Sequence, residues 1–177
     1  MSESQRSVAA GTLSGLLSFG ACFLPGGVGS PWAPGLIFGV LVLAPSFSGG
    51  ARRAWLLVAS VLTYRAAVWF ASTLYMELSG WPVPACTLAG GLGAWALAIA
   101  TSGIVRAPLE RRATRRSVTA GAAAGAFLDL YLRFADDQRV FDYLAAAACF
   151  VVWQASYALF HRLGPWRALS PARAGMA

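Results

Sequence analysis

The chain has 177 residues, of which 58% are hydrophobic and only 12% charged. A soluble domain ordinarily carries about 25% charged residues, so a fully hydrated surface is excluded, and the length suits a single domain. Fourteen basic residues against seven acidic ones give a formal charge of +7, but they flank apolar runs instead of alternating with aromatics, which excludes a nucleic-acid surface.

Six apolar stretches follow one another, at residues 8–24, 33–49, 54–78, 85–105, 117–132 and 141–163. They predict an all-α fold, a polytopic integral membrane protein whose residues 1–163 form one six-transmembrane-helix bundle. Residues 164–177, rich in Pro, Ala and Arg, read as a disordered cytoplasmic tail.

The first stretch carries Gly11 and Gly15. Glycines four apart share one helix face and let a second backbone approach closely, so both are expected to serve helix packing. Its end, Phe19-Gly20-Ala21-Cys22, resembles a bacterial lipoprotein signal, with Phe19 where that family places leucine. The stretch is therefore read as an uncleaved first helix. Pro34 and Pro45 bracket the second stretch, and glycines crowd its ends. A full crossing is expected there, because re-entry would reverse every later loop; a broken segment is the alternative.

The third stretch contains Arg65, eleven residues after Ala54 and near the bilayer centre. Facing lipid it would cost about 2.5–3.5 kcal/mol, so it needs a partner. Gly90, Gly91 and Gly93 give the fourth stretch a small-residue region. A basic patch of Arg106, Arg111, Arg112, Arg115 and Arg116 follows, suited to the anionic cytoplasmic leaflet. In the fifth stretch, Arg116–Asp129 matches Arg6–Phe19 at six of fourteen positions, and Gly121 and Gly125 fall where Gly11 and Gly15 do. This is either a parallel internal repeat or convergence of Ala/Gly-rich helices, and the two later glycines are also expected to pack helices.

Asp129 lies twelve residues after Ser117. At 1.5 Å per residue, Arg65 and Asp129 sit about 16 and 18 Å deep, which predicts an intramembrane ion pair or solute site. The next turn brings Arg133, Asp136, Asp137 and Asp142 together as an outer-face polar cluster. It lacks the spaced ligands of a calcium loop, so no metal is expected.

Placing both termini in the cytoplasm puts eleven arginines on the inner side (6, 52, 53, 106, 111, 112, 115, 116, 162, 167 and 173) and only Arg133 and Arg139 outside. That asymmetry sets the orientation. No lysine occurs, and the all-arginine basic set beside abundant Ala and Gly suggests the codon bias of a GC-rich genome. The expected location is the inner membrane of a bacterium. The expected partners are a bilayer with an anionic cytoplasmic leaflet and either another membrane protein or a second copy, without nucleic acid or cofactor. With no catalytic motif, the first reading is a non-enzymatic scaffold or accessory subunit that binds membrane or cytoplasmic proteins. The alternatives are a small-solute transporter or channel subunit organised around Arg65 and Asp129, and a membrane-embedded enzyme using the outer acidic loop.

Overall fold

The computed structural model describes residues 2–21, 32–77, 84–134 and 139–163. Every regular element among them is helical: α1 (Glu3–Ala21), α2 (Ala33–Phe38), α3 (Gly50–Glu77), α4 (Ala85–Val105), α5 (Arg111–Phe134) and α6 (Arg139–Phe160). Two helical stretches, Gly50–Leu74 and Ala85–Val105, are long and apolar enough to cross a membrane.

Local chemistry explains the ends. The Ser2 amide donates to Gln5 Oε1 at 2.7 Å, and the Gln5 amide donates to Ser2 Oγ at 3.3 Å. This reciprocal capping box starts α1. At the far end of α4, Arg106 takes a left-handed φ of 55°, and the Ala107 amide reaches back to the Ser102 carbonyl at 3.1 Å. That closes the last turn. After α2 the chain widens into a π turn, Gly39–Leu43, then tightens into a 3-10 turn, Ala44–Ser46. Pro45 is the cause, since it has no N–H to donate and its ring clashes with the carbonyl four residues back.

The helices form a closed ring in which chain neighbours pack on one another and α1 packs on α6. The most extensive seams are α4 with α5 and α1 with α6. Both are antiparallel: Gly11 faces Ala155 while Gly15 faces Val151, and Gly90 faces Gly121 while Cys86 faces Gly125. Inside the ring, Phe38, Tyr64, Trp153 and Tyr157 form an aromatic core, with the Tyr64 and Trp153 rings 4.5 Å apart and edge-on.

Outside this core, small residues are buried and large apolar ones exposed on α1 and on much of α4. In α1 the buried residues are Ser7, Gly11, Ser14, Gly15 and Ser18, whereas Leu13, Leu16 and Leu17 are exposed. In α4, Ala, Gly and Leu97 line the interior while Leu88, Leu92, Trp95 and Ile99 face outward. Exposed large apolar side chains are densest on α1, α3 and α4; among the described residues α2 shows Leu36 alone and α5 Phe127 alone. Water would oppose so much exposed apolar area, but lipid would not.

The α1–α6 seam has little slack. A Cβ on Gly15 would sit 2.6 Å from the Val151 Cα, and one on Gly11 would sit 2.5 Å from the Ala155 Cα. Gly15→Val is expected to lower stability by about 2 kcal/mol, read as a lower melting temperature in detergent. Gly20→Ala, where nothing lies within 4 Å, should leave it unchanged or raise it by about 0.5 kcal/mol.

Candidate functional site

The best-defined polar arrangement in the interior centres on Asp129. It is buried on α5 and reaches the first turn of α4. The Cys86 amide donates to Oδ1 at 2.9 Å, the Thr87 amide to Oδ2 at 2.7 Å, and the Thr87 hydroxyl to Oδ2 at 2.7 Å. The first turn of any helix leaves backbone N–H groups without partners. Here the capping position is Pro84, which has no side-chain acceptor to offer. Asp129 supplies that acceptor from another helix, and its charge suits the positive end of the α4 dipole.

Glycines make this reach geometrically available. A Cβ on Gly125 would overlap the Cys86 carbonyl, and one on Gly121 would sit 2.5 Å from the Gly90 carbonyl oxygen and 2.7 Å from Trp153 Nε1. The Trp153 indole donates to the Gly90 carbonyl at 3.2 Å, tying α6 to the same crossing. Gly11 and Gly15 stand in the corresponding position on the α1–α6 seam, beside the buried hydrogen bond from Gln154 Nε2 to Ser18 Oγ at 2.9 Å. The four glycines singled out in the sequence thus lie on the α4–α5 and α1–α6 seams.

Arg65 lies elsewhere. It is exposed on α3, and α4 stands between α3 and α5 in the ring. The expected Arg65–Asp129 pair is therefore replaced by two separate environments. Matching depth along two helices said nothing about which faces meet, and the bare first turn of α4 had the nearer claim on the carboxylate. Trp55, Val58, Leu62, Arg65, Trp69 and Ser72 are all exposed and follow one another at intervals of three, four, three, four and three residues. Such spacing draws a line along the outward face of α3 at the intervals a helix–helix seam uses, with Ala66 and Val68 exposed beside it. Trp55, Leu62 and Trp69 are 63%, 59% and 68% exposed. Arg65 sits twelve residues after Arg53 and twelve before Glu77, about 18 Å from each.

Compared with protein families, with curated proteins and with solved structures, the chain matches none.

One end of the bundle gathers arginine-bearing turns. Arg53 Nε donates to the Phe47 carbonyl at 2.9 Å. Phe47, Thr101, Ser102, Glu110 and His161 line a cavity of about 110 Å³ there, and His161 stacks on Tyr157 with ring centroids 4.4 Å apart. Arg106 ends α4, while Arg111, Arg112, Arg115 and Arg116 open α5, where all are exposed. The helix α5 begins six residues before the expected apolar stretch, so most of the basic patch is helical and not loop. Of the outer polar cluster, Asp136 and Asp137 lie outside the described residues, as does the tail 164–177. Arg133 and Asp142 fall within α5 and α6, but their side chains are also outside the described set. Among the described residues no group of three His, Cys, Asp or Glu is placed to hold a metal ion.

The missed feature is the cap in trans. Its signal was present: Pro84-Ala85-Cys86-Thr87 opens a helix with no Ser, Thr, Asp or Asn at the capping position, so an acceptor had to come from elsewhere.

Proposed function

We propose that this chain is a six-span protein of a bacterial inner membrane, with both termini cytoplasmic, that works without catalysis as an accessory subunit. Its task in this reading is to hold another membrane protein by one transmembrane helix laid along α3, with a carboxylate of that helix opposite Arg65. The six-span frame draws support from the outward apolar faces on α1, α3 and α4 and from the arginine-bearing turns collected at one end.

The observation that carries the partner is the exposure of Arg65 in mid-helix, on a stripe spaced like a helix seam. A guanidinium about 18 Å from either flanking charge reaches lipid phosphates only by snorkelling or local bilayer thinning, at a cost of about 2.5–3.5 kcal/mol. A partner carboxylate offers a counter-charge in place, in the bidentate geometry that arginine favours. A second copy fits poorly. Two α3 helices packed face to face would set Arg65 against Arg65, and Asp129, the buried carboxylate within the bundle, is already engaged by α4.

Photo-crosslinking tests this directly. With a photoreactive residue at Leu62 or Trp69, one membrane protein should be captured through a peptide carrying Asp or Glu, and Leu13 or Leu17 on α1 should not capture it. Arg65→Gln should reduce that adduct about tenfold or more, and Arg65→Lys should restore part of it. Adducts to lipid alone from α3, or an adduct indifferent to Arg65→Gln, would sink the proposal.

A further inference from the structure

We infer that the groove between α5 and the end of α6 binds one anionic phospholipid of the cytoplasmic leaflet, with its phosphate on Arg112, Arg115 and Arg116 and an acyl chain on the wall below. A cavity of about 570 Å³ opens here, within the range of about 300–1,000 Å³ typical of small-molecule sites. The three arginines stand at its mouth, followed one turn along by Thr119. Ala120 and Ala123 of α5 and Phe160 of α6 form the rest of the lining. From Arg116 to Ala123 is seven residues, about 10 Å, so the lining passes from fully charged to fully apolar over the distance separating a headgroup from the start of its chains. Inorganic phosphate or an acidic peptide would use the arginines and leave the Ala/Phe wall idle; a lipid uses both.

The arginines are available for it. Arg112, Arg115 and Arg116 are all exposed, and among the described residues no carboxylate pairs with them. Glu110, the nearest acid in sequence, lines the cavity around His161 instead. Like charges three and four residues apart repel, so an anion bridging them removes a conflict that the fold itself leaves standing. Thr119 donates its hydroxyl to the Arg115 carbonyl at 2.9 Å, which keeps its oxygen free to accept but not to donate to a phosphate; the arginines must therefore supply the donors.

This inference rests on the membrane reading above but not on a partner at Arg65. The test uses the full chain in neutral detergent with one lipid added at a time, read by native mass spectrometry and by melting temperature. Phosphatidylglycerol should be retained about a hundredfold better than phosphatidylcholine and should raise the melting temperature. The triple change Arg112→Gln, Arg115→Gln, Arg116→Gln should abolish that preference, and Arg106→Gln with Arg111→Gln should leave it. Ala123→Trp, which fills the apolar wall and keeps every charge, should also abolish it; if that variant loses helicity, Ala123→Leu is the smaller block. Equal loss in the Arg106/Arg111 control would overturn the site in favour of net charge. Glycerol phosphate competing as well as the lipid would overturn it in favour of a soluble anion. Lipid loss should leave the α3 crosslink intact, so the two readings fail separately.

Discussion

Gly125→Val is expected to drive α4 away from α5 and cost about 3 kcal/mol or more. The new Cβ would overlap the Cys86 carbonyl and crowd the Thr87 amide nitrogen at 2.7 Å. These neighbours are backbone, so no side-chain rotation can relieve the contact. Retreat of α4 would in turn stretch both amide bonds to Asp129 and the Trp153–Gly90 hydrogen bond. The losses therefore arrive together. Gly103→Val on the same α4 helix is the control: nothing lies within 4 Å of its would-be Cβ, and its effect should stay within about 0.5 kcal/mol. Tryptophan fluorescence during thermal unfolding in detergent measures both. A Gly125→Val protein as stable as the parent would mean that the two helices cross more loosely than described.

Asp129→Ala should be comparably damaging, at about 3 kcal/mol. Two backbone amides and a hydroxyl lose a charged acceptor at a part-buried site. Asp129→Asn should cost roughly half as much, because one carbonyl oxygen still accepts while the new NH₂ meets donors. Thr87→Val removes only the hydroxyl bond and should cost about 1 kcal/mol. The decisive measurement is a double-mutant cycle with Arg65→Gln. Since Arg65 is exposed on α3 and Asp129 engages α4, the two effects should add to within about 0.5 kcal/mol. A coupling above about 1 kcal/mol would restore the ion pair that depth matching suggests.

How far the fold could be read from the sequence depended on the kind of information each element carried. The bounds of α4 coincide with the apolar run 85–105, because Pro84 and the polar connection from Arg106 to Glu110 mark both ends. Helix α5 starts earlier than its apolar run, since arginine is a good helix former and the outer turns have no need to be apolar. The spacing of the glycine pairs suggested close approach of helices, and each of the four lies against another helix's backbone. Position around the helix axis was the missing coordinate. Rise per residue fixes how far along a helix Arg65 and Asp129 lie, but the faces they turn to depend on which helices become neighbours. The 3-4-3-4-3 stripe on α3 was legible in principle, yet its residues mix Trp, Val, Leu, Arg and Ser, and only their joint exposure makes them a surface.

The cap on α4 also carries a message about biosynthesis. Asp129 follows Thr87 by 42 residues, so α4 leaves the ribosome with the amides of its first turn unmet and stays so until most of α5 has been made. Bare amides are costly in hydrocarbon. In the membrane reading proposed above, releasing α4 together with α5 would meet these amides at once, and loss of Asp129 would remove that benefit.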